Sequence, residues 1–198
     1  LARARVGEGA VPEPWDLPHD DPEVYEMIAR ADTVGVFQLE SSGQRNLATR
    51  LRQRDFSDVI AAISLFRPGP MEAEMINPFI RRRHGIEPVS VPHPAMADVL
   101  SDTYGVIVYQ EQVLQVAQAV AGFDLAEADS LRRMMTRDRS REEMERIREH
   151  FLERCAERQV EPGVAEEVFR QLEGFAAYGF NKAHAACFAV VSYASAWL

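Results

Sequence analysis

The residues best suited to chemistry lie near the end of the chain, in the run YGFNKAH at positions 178–184. Gly179 is typical of the end of one helical segment, Asn181 is a favourable N-cap, and apolar residues recur at helical spacing after it. This pattern predicts a helix whose first turn carries Lys182 and His184. Cations there oppose the helix macrodipole, whereas backbone N–H groups with Asn, Lys and His together suit a polyanion, so the stretch predicts a phosphate-binding site.

Lys182 stands out because it is the only lysine among the 22 Lys and Arg residues of the chain. A flexible ammonium does not substitute freely for the planar, bidentate guanidinium of arginine. The retention of one lysine at this position therefore favours a specific role for its amine. Chance is the alternative explanation.

The composition is that of an ordinary globular protein. The 198 residues suffice for one or two domains, with 46% hydrophobic and 27% charged residues. No apolar run approaches the roughly 20 residues of a membrane span. Cys155 and Cys187 lack metal-like or CxxC spacing, which favours a reducing cytoplasm, and the five histidines show no ligand spacing. We therefore expect a cytoplasmic protein without a metal site, and a fragment of a longer chain because it starts without methionine and stops inside an amphipathic helix.

The formal net charge of −9 argues against a uniformly basic nucleic-acid-binding domain. The arginines nevertheless cluster at 45–54, 81–83 and 132–141, so local basic faces are compatible with an acidic body. The triple arginine at 81–83 fits a solvated helix end as well as it fits a DNA contact. Arg132 and Arg133 are neighbours on a predicted helix and point about 100° apart, so we expect that they cannot reach one ligand equally unless the helix end is loosened.

The hydrophobic periodicity predicts a mainly α fold with a few short strands. Residues 1–22 are rich in Pro, Gly and Asp and resemble a linker or an irregular domain edge. Two β-branched runs predict short strands at 33–38 and 103–110, which could pair with each other. Helices are predicted at 23–30, 42–51, 56–66, 72–83, 111–121, 124–135, 142–159, 164–175 and from 182 onward.

Five motifs, in order along the chain, resemble one known family. They are VFQLES (36–41), FRPGPM (66–71), YGVIVYQEQV (104–113), AGFDLAEADSLRRMM (121–135) and YGFNKAHAACFA (178–189). Together they resemble the bacterial C-family DNA polymerases, the α subunits of DNA polymerase III. The resemblance implies that residues 23–198 form a helical fingers domain, truncated at its C-terminus, and that 1–22 are a linker or the edge of the preceding palm domain.

The same resemblance implies roles for individual residues. The triphosphate side of the nucleotide site would be lined by Arg132, Arg133, Asn181, Lys182 and His184. Weaker candidates for nucleotide or DNA contacts are Arg67, Gln110, Glu111, Arg81, Arg82, Arg137 and Arg139. The family's Gly-Lys-Lys-Lys after the arginine pair is here Thr-Arg-Asp-Arg-Ser-Arg, in which Asp138 dilutes the basic charge.

For function, the resemblance implies a DNA-directed DNA polymerase acting in bacterial chromosomal replication on template-primer DNA and deoxynucleoside triphosphates. Mg²⁺ would be bound by palm aspartates outside this segment, so the segment alone is predicted to be inactive. The sliding clamp and a proofreading exonuclease would bind through other regions. Two alternatives stay open: the error-prone (translesion) branch of the same family, and a noncatalytic helical protein-interaction module in which Lys182 and His184 are structural.

Overall fold

The computed structural model describes residues 12–66, 76–135, 141–176 and 179–198. The chain divides into two compact units, the first comprising residues 1–66 and 182–198 and the second residues 67–181. In chain order the α-helices of the described residues are α1 (Pro22–Ala29), α2 (Ser42–Leu51), α3 (Phe56–Leu65), α4 (Asn77–Arg83), α5 (Met96–Val99), α6 (Gln110–Val116), α7 (Leu125–Met135), α8 (Arg141–Glu157), α9 (Pro162–Ala176) and α10 (Lys182–Trp197). The mainly α fold is therefore confirmed.

Helix starts in the first unit follow from side-chain caps. Asp21 accepts a hydrogen bond from the backbone N–H of Glu23 at 2.9 Å, with proline in the first turn of α1. Ser41 and Asp55 cap α2 and α3 in the same way. Such caps satisfy N–H groups that the helix itself leaves without partners, so the short polar residues in the sequence mark the helix boundaries.

The core of the first unit forms around Tyr193 of α10, which is fully buried. Its ring lies 5.0 Å from that of His19, 5.6 Å from Tyr25 and 6.2 Å from Phe56, between ring centroids. Its hydroxyl accepts a hydrogen bond from the backbone N–H of Asp21 at 3.0 Å. Burial raises the pKa of the Tyr193 hydroxyl. This aromatic cluster fixes α10 within its unit and thereby fixes the position of its first turn.

The second unit packs α6, α7, α8 and α9 around one apolar core. After α6 the chain continues as a π-helix, Ala117–Ala121, which ends at Gly122 in the left-handed conformation (φ +69°). The carbonyl of Gly122 accepts a hydrogen bond from Arg154 Nη2 at 2.8 Å. Cys155 is buried in this core, and its burial raises the pKa of the thiol to about 11. The Arg154 hydrogen bond thereby joins the turn before α7 to α8.

The strand predicted at 33–38 is wrong, because this segment folds as consecutive turns. Gly35 (φ +84°) and Gln38 (φ +64°) adopt left-handed backbone conformations that a strand cannot contain. Val36 and Leu39 are buried and anchor the turns, and the Thr33 hydroxyl donates to the carbonyl of Leu39 at 2.7 Å. Turn chemistry therefore overrides the β-propensity of the run.

The strand predicted at 103–110 is also wrong. The segment begins as the 3₁₀-helix Ser101–Thr103, and Tyr104 and Gly105 then both take positive φ angles. The predicted pairing of the two runs fails with them, since neither forms a ladder. The one β-type pairing within the described ranges is an isolated bridge between Tyr109 and Phe180.

The helix predictions hold more closely. Apart from α4 and the four-residue α5, which was not predicted, the observed α-helices begin within two residues of the predicted starts, and α10 begins at Lys182 as predicted. The predicted helix 72–83 is described from residue 77 onward as α4. Among the helices described, none is both long and apolar enough to cross a membrane.

Candidate functional site

The first turn of α10 presents the two residues predicted to bind phosphate. Lys182 is the first helical residue, and both it and His184 are exposed. The imidazole ring of His184 lies 4.5 Å from the ring of Phe188, one turn further along the same helix face. The prediction that a helix begins here with Lys182 and His184 in its first turn is confirmed. Their binding to phosphate stays a prediction.

The segment leading into α10 is fixed to the start of α6. The backbone N–H of Gln110 donates to the carbonyl of Phe180 at 3.0 Å, and its side-chain amide donates to the carbonyl of Gly179 at 2.8 Å. The Asn181 amide donates to Glu111 Oε1 at 2.7 Å. A Cβ on Gly179 would lie 2.9 Å from Gln110 Cγ, so this approach needs glycine. In the structure Gln110 and Glu111 therefore position Asn181, and a direct nucleotide contact for either stays a prediction.

The turn before α6 is organised by Gln112, which the sequence analysis missed. Its side-chain oxygen accepts hydrogen bonds from the backbone N–H groups of Val108 (2.8 Å) and Tyr109 (3.0 Å), while its amide donates to the Thr103 hydroxyl at 2.8 Å. A Gln at the third helical position that reaches back to the N-cap N–H is a known capping pattern. That spacing after Tyr109 was the signal available in the sequence.

The two arginines at the end of α7, Arg132 and Arg133, both bind the carboxylate of Asp129. Arg132 Nε and Nη2 donate to Asp129 Oδ1 at 3.1 and 2.7 Å, and Arg133 Nη2 lies 2.5 Å from Oδ2. The expectation that the two arginines cannot reach one ligand equally without a loosened helix end stays a prediction, because Asp129 belongs to the same helix and residues 136–140 lie outside the described residues. Residues three and four positions after Asp129 flank it on the same face, and each takes a separate oxygen.

These two arginines also set the charge state of Asp129. Hydrogen bonds from Arg132 and then from Arg133 hold the pKa of the carboxyl below its usual value. The side chain of Arg133 is 67% exposed, whereas that of Arg132 is 24% exposed. Asp129 was not singled out from the sequence, although an acidic residue three positions before Arg132 and four before Arg133 is a recognisable helical pattern.

The arginines at the end of α4 make a second such arrangement with Glu87. Arg81 Nε lies 2.9 Å from Glu87 Oε2, and Arg82 Nε lies 3.1 Å from Oε1. Arg82 Nη1 also donates to the carbonyls of Tyr104 and Gly105, both at 3.3 Å. These contacts give Arg82 a structural role within its unit. The DNA contact predicted for this pair stays a prediction.

Three predicted residues, Arg67, Arg137 and Arg139, lie outside the described residues. Of the five residues predicted to bind triphosphate, Arg132, Arg133 and Asn181 belong to the second unit and Lys182 and His184 to the first. The contacts of each set of residues are therefore described within its own unit.

No group of three or more His, Cys, Asp or Glu side chains within the described ranges could hold a metal ion. The carboxylates nearest the candidate residues already have partners: Asp129 and Glu87 each bind two guanidinium groups, and Glu111 binds the Asn181 amide. This donor set does not fit the octahedral oxygen cage that Mg²⁺ prefers.

Residues 4–159 match the family model of the bacterial DNA polymerase III alpha subunit finger domain. The chain is 49% identical to an error-prone DNA polymerase of Anaeromyxobacter sp. (strain K), over 100% of this chain and 18% of that protein. It is 47% identical to an error-prone DNA polymerase of Symbiobacterium thermophilum, over 92% of this chain and 17% of the relative.

A DNA polymerase III subunit alpha of Pseudomonas fluorescens is 43% identical, over 99% of this chain and 17% of that protein. The chain thus spans less than a fifth of the length of these relatives. The helical architecture, the ordered motifs and the family match agree. The chain belongs to the bacterial DNA polymerase III alpha subunit finger domain family.

Proposed function

We propose that this chain is the fingers segment of a bacterial DNA-directed DNA polymerase and that it binds the incoming deoxynucleoside triphosphate over template-primer DNA. The first turn of α10 carries the proposal, because it presents an exposed amine at Lys182 and an exposed imidazole at His184. Residues 23–198 form the fingers region, and residues 1–22 connect it to the palm.

The proposed chemistry is nucleotidyl transfer, in which the protein contributes mainly position and charge. Lys182 and His184, with Asn181, contact triphosphate oxygens, and Arg132 and Arg133 supply further cations. Mg²⁺ would be held by carboxylates of the parent protein outside this segment and would supply charge neutralisation at the transferred group. The segment alone is therefore inactive, and the sliding clamp and the proofreading exonuclease bind other regions of the parent.

The test is primer extension by the full-length parent with Lys182→Ala, at varied nucleotide concentration. One charge-assisted contact to phosphate contributes roughly 1.5–3 kcal/mol, so we expect the efficiency for nucleotide to fall roughly ten- to a hundredfold with DNA binding intact. Arg30→Ala is the control, since Arg30 is an exposed cation paired with Glu26 at 3.7 Å in the same unit. Unchanged nucleotide KM and turnover in Lys182→Ala would refute the proposal.

Two branches of the family remain as candidate roles. Chromosomal replication is supported by relatives named DNA polymerase III subunit alpha, at 43% and 46% identity. Error-prone synthesis is supported by relatives named error-prone DNA polymerase, at 42% to 49%. We propose the replicative role, and extension opposite an abasic template site tests it. A replicative parent stalls there, whereas efficient bypass assigns the chain to the error-prone branch.

A noncatalytic interaction module is the competing function from another class. It predicts that nucleotide leaves the amide exchange of residues 179–184 unchanged. The fingers proposal predicts slower exchange there when deoxynucleotide and template-primer DNA are bound to the parent. Hydrogen exchange with and without nucleotide separates the two functions.

A further inference from the structure

The first unit contains a cavity of about 280 Å³ between α1 and the turn that joins α2 to α3. We call it the Gln53 cavity. Pro22, Glu26 and Ala29 line it from α1, where their spacing places them on one face of the helix. Residues 52–54 line it from the turn. The cavity shares no residue with the set proposed to bind nucleotide.

The turn that carries Gln53 is fixed at both ends by hydrogen bonds. The backbone N–H of Arg52 donates to the carbonyl of Ala48 at 2.8 Å, and Arg52 ends α2 in the left-handed conformation (φ +51°). The backbone N–H of Arg54 donates to Asp58 Oδ2 at 2.9 Å. Arg52 and Arg54 are exposed, whereas Gln53 between them is buried. The turn therefore holds the glutamine inward and places two cationic side chains at the exposed rim of the cavity.

The buried amide of Gln53 has no hydrogen-bond partner among the described residues. Gln53 is 3% exposed, and both Nε2 and Oε1 lack such a partner. Nearly all buried polar groups of native proteins are hydrogen-bonded, because an unpaired buried donor or acceptor is costly. An apolar side chain of similar size would avoid that cost. A glutamine that lines a cavity with its amide unpaired therefore indicates a ligand that supplies both an acceptor and a donor.

The lining of the cavity indicates the chemistry of this ligand. The C=O and N–H groups of a peptide backbone match the donor and the acceptor of the Gln53 amide. The guanidinium groups at the rim favour a carboxylate on the same ligand. Phosphate oxygens only accept hydrogen bonds, so they would leave Gln53 Oε1 unpaired, and the carboxylate of Glu26 in the lining is unfavourable for a polyanion. A volume of about 280 Å³ is slightly below that of sites for drug-sized ligands and suits a short stretch of chain.

We propose that the Gln53 cavity binds an acidic peptide segment of a partner protein. Gln53 Nε2 donates to a peptide carbonyl, Oε1 accepts from a peptide N–H, and a carboxylate of the segment binds Arg54. Both amide atoms are covered in the structure, so binding requires the glutamine side chain to rotate into the cavity between staggered rotamers. The backbone contacts are independent of sequence, so charge decides which peptides bind.

The test measures binding of labelled peptides to the full-length parent by fluorescence anisotropy. The probes are a short peptide of alternating Glu and Gly and its Gln–Gly and Lys–Gly counterparts. We expect the Glu–Gly peptide to bind most tightly. Gln53→Leu should weaken its binding roughly tenfold, as for loss of two neutral hydrogen bonds. Arg54→Ala should weaken it roughly threefold, because an exposed ion pair contributes less.

Gln44→Leu is the matched control and should leave peptide binding unchanged. Gln44 is a buried glutamine of the same unit whose amide also lacks a partner within the described ranges, and it is not part of the cavity lining.

Equal binding of the Glu–Gly peptide by wild type and either cavity variant, Gln53→Leu or Arg54→Ala, overturns the proposal. If a labelled oligo-dT then loses affinity in Gln53→Leu, the cavity belongs to nucleic acid. The melting temperature of the parent gives a second measurement, since leucine removes an unpaired amide and should not lower it. A lower melting temperature in Gln53→Leu but not in Gln44→Leu also overturns the proposal, by showing that the parent's own chain already pairs with Gln53.

Discussion

Two arginine pairs in the second unit have the same local design and different surroundings. Arg81 and Arg82 share the oxygens of Glu87, and Arg132 and Arg133 share those of Asp129. In both pairs each guanidinium takes one carboxylate oxygen. In both pairs the arginines hold the pKa of the carboxyl below its usual value.

The pairs differ in what else the guanidinium groups touch. Arg82 is 14% exposed and also donates to two backbone carbonyls of a distant loop. The carboxylate of the other pair lies on the same helix as its arginines, and Arg133 is 67% exposed. An ion pair with one exposed partner within one helix, as between Arg133 and Asp129, contributes little to stability. Arg82 therefore acts as a structural latch between two segments of its unit, whereas we propose that the second pair can exchange Asp129 for another anion.

The largest expected effect is on nucleotide binding, in which the two arginine pairs should differ. In the parent, Arg133→Ala should lower efficiency for deoxynucleotide roughly ten- to a hundredfold, through loss of a charge-assisted phosphate contact. Arg81→Ala should leave nucleotide KM unchanged. Arg170→Ala is the control for removing an exposed helical arginine with an acidic partner, here Glu167. Equal nucleotide KM values in Arg133→Ala and wild type would remove the distinction between the pairs.

A smaller effect is expected on local stability, which should depend on Arg82 and not on Arg132. Arg82→Ala deprives the carbonyls of Tyr104 and Gly105 of a donor, so we expect backbone amides at residues 104–107 to exchange roughly tenfold faster. Arg132→Ala should leave that region unchanged. Hydrogen exchange of the full-length parent, read by mass spectrometry, provides the measurement. Equal protection in the two variants would argue against a latch at Arg82.

The smallest effect concerns the carboxylates themselves. Asp129→Asn weakens the competitor that holds Arg132 and Arg133, so nucleotide KM should fall about two- to fivefold, as expected for loss of an exposed ion pair. Glu87→Gln should leave KM unchanged. Steady-state kinetics at fixed ionic strength are required because salt screens both pairs. A raised KM in Asp129→Asn would show instead that Asp129 positions the arginines for nucleotide.

Local sequence patterns predicted the helices and failed for the strands. Short polar residues such as Ser41 and Asp55 marked helix starts because caps act within three residues. The run 33–38 has strand composition, but Gly35 and Gln38 take left-handed conformations, and Val36 and Leu39, three residues apart, are both buried. Burial depends on the whole fold, so the pattern of apolar residues within this six-residue run could not reveal it.

The candidate site shows the same division between local and distant information. The positions of Lys182 and His184 were predictable from the pattern of one helix start. The two ion pairs to Asp129 follow from residue spacing within α7. The bonds from Gln110 to Gly179 join residues 69 positions apart, and those from Phe37 to α10 span 158. Contacts of this kind depend on the tertiary structure, which explains why they were not predicted.

The exposed position of Lys182 at the start of α10 has a practical consequence for footprinting. Because the 198 residues contain no other lysine, an amine-acylating reagent has one side-chain target in this stretch. A peptide that spans the start of α10 then reports the accessibility of a single ammonium group by its mass. Acylation of the parent with and without nucleotide would therefore measure occupancy of this helix start directly, without mutation.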